Sequence, residues 1–182
     1  MKDLKKIYTA LMLLAFAFVF ASCSSGSDSD DDDDQSITLS DGNYALKITQ
    51  TSDGMAEEYD IKATASNETW TFKSGSKTQT VDLTKQMSKD DLTAFNAMGE
   101  DAKKAKTKKE MNLPDDAEIS FAGNKVIVKS TLSGAELTEM QEDYKLSSIP
   151  SDAKIKTIKD NEYEITMSTK EWETIVFHVN KD

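Results

Sequence analysis

The chain has 182 residues, with 33 acidic against 22 basic side chains, a formal net charge of −11, and a single histidine and a single cysteine. That acidic balance disfavours nucleic acid and anionic lipid surfaces as partners, because both repel it. A lone cysteine excludes an internal disulfide, and one histidine with one cysteine excludes a zinc centre built from those ligands.

Met1–Lys6 is short and basic, through Lys2, Lys5 and Lys6, and Ile7–Phe20 is an apolar run. The run is shorter than the roughly 20 residues a spanning helix requires. With the small residues Ala21 and Ser22 behind it, it has the layout of a secretory signal, which is removed and is not part of the fold. Cys23 follows at the point where cleavage falls, so its thiol is either free or carries a thioether-linked lipid. Ser24–Ser29 and five consecutive aspartates, Asp30–Asp34, come next. Like charges repel, so this run reads as a disordered, solvated tether. Its carboxylates attract divalent ions loosely, but it lacks the glycine and terminal glutamate of an EF-hand loop, and no metal site is expected. The division is then a signal peptide over 1–22, a lipidated and acidic tether over 23–39, and one domain over 40–182.

Ala21-Ser22-Cys23 resembles the end of a bacterial lipoprotein signal, with Phe20 standing where leucine is usual. The resemblance implies diacylglyceryl on Cys23, cleavage after Ser22, and acylation of the new amino terminus. Several chains matter because each buried CH₂ adds ~0.8 kcal/mol and one chain anchors only marginally. Ser24, in place of aspartate, implies the outer membrane. The Ser/Asp run resembles the acidic export signal of surface lipoproteins in the Bacteroidota, which implies a lipid-anchored protein at the cell surface. No cofactor is expected beyond the covalent lipid on Cys23.

In the folded part, Ser40-Asp41-Gly42-Asn43 is a turn signal. Tyr44–Thr51 then alternates, with Tyr44, Leu46 and Ile48 on one face. After Ser52-Asp53-Gly54, the residues Tyr59, Ile61, Ala63 and Ala65 repeat the period of two, so the pair predicts a β-hairpin. Ser66-Asn67 leads to Glu68–Lys73, with Trp70 and Phe72 inward, and Ser74-Gly75-Ser76 leads to Thr78–Leu83 as a further strand. The period then changes. Ser88 and Asp91 have capping-box spacing, and Leu92, Phe95, Met98, Ala102 and Ala105 predict a helix with one apolar stripe, broken at Gly99. Its lysine-rich second half (Lys103, Lys104, Lys106, Lys108 and Lys109) suits a helix C-terminus. A docking patch for acidic partners, or for the chain's own aspartates, is the sharper alternative.

Glu118–Phe121 and Lys125–Thr131 predict a hairpin across Gly123-Asn124. Ala135–Leu146 fits either periodicity. Ser133, Glu136, Leu137, Met140 and Tyr144 suit a helix, whereas the flanking hairpins favour a strand around Glu142–Ser147. Lys154–Ile158, Tyr163–Ser168 and Thr174–Val179 complete the pattern. The predicted fold is mainly β: an antiparallel meander forming a small barrel or sandwich, with one helical insertion around residues 88–110. Gly42-Asn43-Tyr44 resembles the Gly-x-Trp opening of lipocalin-like domains. That resemblance implies an apolar ligand cavity and gives Tyr44 a packing position.

No catalytic motif is present. His178 is predicted on the face of its strand opposite Ile175, Phe177 and Val179, and no serine sits in a nucleophile elbow. Paired carboxylates remain available to a glycosidase: Glu57, Glu58, Glu68, Glu162 and Glu164 lie on or near strands, and alternation turns Glu162 and Glu164 to solvent. Trp70 follows the inward alternation, whereas Trp172, at a turn, is the better candidate for stacking on a sugar. The expected protein is a non-enzymatic lipoprotein of the outer membrane or cell surface, presenting a β-rich domain to a protein, glycan or small apolar ligand. A lipocalin-like carrier and a carboxylate-pair glycan hydrolase are the alternatives.

Overall fold

The computed structural model describes residues 37–67, 69–144, 149, 151–170 and 172–182. Cys23 and the acidic run lie outside them, as do Glu68, residues 145–148, Pro150 and Glu171. The domain is mainly β and antiparallel. In chain order it comprises β1 (Gly42–Ser52), β2 (Met55–Ser66), β3 (Thr69–Asp82), α1 (Leu83–Gln86), α2 (Lys89–Asn96), α3 (Glu100–Glu110), β4 (Glu118–Ala122), β5 (Lys125–Thr131), α4 (Gly134–Asp143), β6 (Lys154–Lys159), β7 (Glu162–Met167) and β8 (Thr174–Lys181).

The strands make one eight-stranded sheet in the order β4-β5-β3-β2-β1-β8-β7-β6. The sheet does not close. Its edges are β4 and β6, so neither the barrel nor the two-sheet sandwich of the sequence reading forms. Helices supply the cover that a second sheet would have given. Beneath α4 lies the larger core: Tyr44, Leu46 and Ile48 from β1, Ile61 from β2, Trp70 from β3, Ile165 from β7 and Phe177 from β8. Beneath α2 and α3 lies a smaller one, where Phe95 and Met111 meet Val81, Val126 and Val128. Each fully buried side chain of this kind contributes roughly 1.5–3 kcal/mol.

The local chemistry explains the element boundaries. The β1–β2 turn uses Gly54 at φ +78°, and the turns after β2 and β6 use Asn67 and Asn161 at φ 51° and 60°, a conformation asparagine tolerates. Ser88 caps α2 by accepting the Asp91 amide, and Gly99 separates α2 from α3. That break resets the helical phase. Ala102 and Ala105, expected on the apolar stripe, are exposed, and Thr107 is buried instead.

Two further readings are corrected. Thr69–Asp82 is one continuous strand, not two. Lys73 is an extra residue opposite the step from Lys62 to Ala63, and such a bulge inverts which parity faces inward. Trp70 and Phe72 point inward before it, Gln79 and Val81 after it. Gly75 sits just past the bulge because a Cβ there would lie 2.9 Å from both the Asp60 carbonyl oxygen and Leu132 Cδ1. The second correction concerns residues 134–143, which are helix. The Ser133/Glu136 capping box forms completely, with Leu137 buried beneath it, and two satisfied backbone amides outweigh the strand-like alternation. Residues 145–147 of the predicted strand lie outside the described residues.

The chain enters the sheet through a strap. The Tyr163 hydroxyl donates to Thr38 O at 2.7 Å, the Ser40 amide donates to Asn161 Oδ1 at 2.8 Å, and Leu39 is buried. Asp143 closes α4 with no basic side chain in the last turn. Burial, and then the charges of Glu139 and Glu142, raise its carboxyl above the ordinary 3.8.

Gly75→Ala is expected to cost about 1–3 kcal/mol, read as a lowered denaturation midpoint, because backbone and a packed leucine both stand in the way. Asp143→Asn is expected to stabilise the domain at pH 7. A carboxyl raised in the folded state favours that state only while protonated, so its ionisation costs stability as pH rises through the folded pKa. The gain from the substitution should therefore be full at neutral pH and vanish below about pH 3.8, which paired melts at pH 7 and pH 3 would read.

Candidate functional site

Polar side chains gather in two places, one on each face of the sheet. On the inner face, Gln50, Glu57 and Gln79 form one cross-strand row on β1, β2 and β3, and all three are buried. Each continues the inward parity of its strand: Gln50 after Ile48, Glu57 before Tyr59, Gln79 before Val81. That parity was legible in the sequence; only their polar character hid them from a core defined by apolar residues. The Glu57 carboxylate accepts the Tyr59 hydroxyl, accepts Gln79 Nε2 at 3.0 Å, and pairs with Lys77 Nζ at 2.7 Å. Lys77 also lies 5.3 Å from the Tyr59 ring centre. Gln50 donates to the Tyr144 hydroxyl, which links the row to the end of α4.

Burial, reinforced by the Glu57 charge, pushes the Tyr59 hydroxyl well above its usual value, and burial likewise raises Tyr144. Both stay protonated and neutral at any physiological pH. Among the described residues, no buried side-chain nitrogen or oxygen lacks a partner. A network so completely satisfied has no spare group to offer a ligand; it holds three strands and a helix in register.

The outer face is accessible. A groove of about 540 Å³ crosses β1, β2, β3 and β8, with Ala45, Ser74, Gly75 and Ser76 among its lining residues. Lys47, Asp60, Lys62, His178 and Asn180 also line it. Cross-strand order continues His178–Lys47–Asp60–Ser76 over four strands. Lys47 Nζ is 3.1 Å from Glu58, and His178 Nδ1 is 3.6 Å from Glu164 Oε2. Glu162 pairs with Lys159 at 2.8 Å. The carboxylates Glu58, Glu162 and Glu164 are thus held on the face opposite Glu57 and share no cleft with it.

The aromatic candidates fall elsewhere. Trp70 is 2% exposed, stacks on Phe177 at 5.4 Å between ring centres, and donates its indole N–H to Tyr144 O at 2.9 Å. Trp172, expected to be exposed, is half-buried and packs against the larger core, because its backbone and that of Thr169 bond to each other across the loop. Tyr44 is fully buried, and its hydroxyl donates to Ser40 O at 2.8 Å, the packing position anticipated for it. None of the three reaches the outer groove, which the sequence reading missed. Its signal was a patch of small outward residues, and that becomes visible only when β3 is placed beside β2 and β1.

The basic half of α3 is largely tied up within the fold. Lys104 pairs with Glu100, Lys106 with Glu110 and Lys108 with Asp115, while the Lys103 ammonium lies 5.6 Å from the Phe95 ring centre and 5.9 Å from that of Phe121. No group of three or more metal-ligating side chains occurs among the described residues, nor among them is any helix long and apolar enough to cross a membrane. No protein-family model matches the chain, and no curated protein and no solved structure matches it either.

Glu57→Ala is expected to destabilise the domain by about 3–5 kcal/mol, because it strands Lys77 without its partner and leaves the Tyr59 hydroxyl and the Gln79 amide unpaired. Glu58→Ala, on the solvated face, should cost less than about 1 kcal/mol. Urea titrations of the two variants make the comparison.

Proposed function

We propose that the protein is a lipoprotein of the outer membrane, displayed at the cell surface, whose acidic tether presents a non-enzymatic β-rich domain for binding. The observation that carries this reading is the placement of the sole cysteine. It follows a basic segment, an apolar run and two small residues, and precedes a run of serines and aspartates. A sulfur used for acylation needs that position and no partner thiol. The domain suits the role. Its inner face is occupied by buried, packed apolar side chains. Its outer face carries an open groove edged by charged and hydroxyl side chains, and its N-terminal strap is where a tether would arrive. From Cys23 to Ile37 the chain reaches about 45–50 Å at full extension, enough to hold the domain clear of headgroups.

Cys23→Ala should abolish labelling by a fatty-acid analogue and leave the product soluble or unprocessed. Membrane retention unchanged by the substitution would overturn the anchor. Protease applied to intact cells should remove the domain; full protection would move it to the inner leaflet side.

A further inference from the structure

We infer that the outer-face groove binds a neutral, polyhydroxylated ligand, a short saccharide. The inference rests on the binding role proposed above and gives that role a place and a chemistry.

Shape comes first. The groove of about 540 Å³ falls within the span of small-molecule sites, roughly 300–1,000 Å³. Its depth depends on small residues, Ala45 on β1 and Ser74, Gly75 and Ser76 on β3. At Gly75 only backbone faces the groove, because the position where a Cβ would stand points inward, 2.9 Å from the Asp60 carbonyl oxygen and from Leu132 of the core. The bulge at Lys73 sets the parity that turns Ser74 and Ser76 outward beside the Gly75 backbone.

Charge and hydrogen bonding then select the ligand. Lys47 is engaged by Glu58 and His178 faces Glu164. The side chains of Asp60, Lys62, Ser74, Ser76 and Asn180 form no hydrogen bond or ion pair among the described residues. The set without a hydrogen bond is one carboxylate, Asp60, whose charge also acts on neighbouring Lys47, with one ammonium, one carboxamide and two hydroxyls. Its formal charges cancel, and its donors and acceptors are mixed. An anion drawn by Lys62 meets Asp60, and a cation drawn by Asp60 meets Lys62. An apolar molecule would strip water from all five groups and return no hydrogen bond. A sugar hydroxyl both donates and accepts, so it can answer each of them. The C–H face of a sugar ring can rest on Ala45 and the methylene stems of the lysines. An open groove without an aromatic platform binds weakly, with Kd expected at about 0.1–10 mM.

The test is saturation-transfer NMR on the mature chain in detergent. The probes are maltotriose, cellotriose, xylotriose, mannotriose and N-acetylchitotriose, with trigalacturonate and chitosan trimer as charged comparators. At least one neutral trimer should give a signal that exceeds those of both charged trimers. Ala45→Trp, which fills the floor from an exposed position and leaves the core untouched, should weaken that binding tenfold or more. Asp60→Asn with Asn180→Ala should do so without lowering the melting temperature. The inference is overturned by silence from every neutral trimer, by binding of the charged trimers alone, or by binding that survives Ala45→Trp. The measurement is independent of the anchor: a bare Cys23 sinks the lipoprotein reading and leaves this result standing, and an empty groove does the reverse.

Discussion

Trp70 and Phe177 stack although they belong to β3 and β8, with β1 and β2 lying between. Across a flat sheet, three strand spacings would hold their backbones roughly 14 Å apart. Rings 5.4 Å apart require the sheet to curl, so that its inner face wraps onto itself. Ala63 and Ala65 on β2 leave room beneath the stack, and Tyr144 completes it from the end of α4, its ring 5.4 Å from that of Phe177. The rest follows from that curl. A sheet bent this far can bury part of its inner face under one short helix, and on the β3-β5-β4 flank, where the sheet stays open, a second set of helices provides the cover.

Between the two apolar clusters runs the Gln50–Glu57–Gln79 row. A charge buried at such a seam costs much to desolvate, and its pairing offsets that cost without a large surplus. What it contributes is register: a slip of β2 by one residue would leave the carboxylate without Gln79 and Lys77 and send Ile61 to solvent. The seam lets the two halves of the sheet carry different helical covers while their strands stay aligned.

Most strands were legible because alternation over β1, β2, β7 and β8 is a direct image of a one-sided sheet, and the turns carried residues suited to φ > 0, such as Gly54, Gly123 and Asn161. Sheet order was not legible. Nothing local says that β5 rather than β4 lies against β3, or that β8 returns to β1. The helix at 134–143 was ambiguous because Met140 and Tyr144 fit both periods, and the cap at Ser133 decided it. Of the site, the individual residues were visible and their convergence was not: Ala45, Ser74 and Asn180 are unremarkable until three long-range pairings bring them to one hollow. Trp172 looked exposed because charged residues flank it in the sequence, although its own side chain packs against the core.

The strap at residues 38–40 has a mechanical consequence. Tension arriving along the N-terminal chain meets the bonds from Tyr163 and to Asn161 before it reaches the ladder of β1. Those two side chains belong to the β6–β7 hairpin, so a pull on the chain ahead of residue 38 must first detach the strap from that flank of the sheet. The central strand, paired on both sides, is thereby shielded from the load, which falls first on the anchoring of Leu39 and Tyr163 at the core's edge.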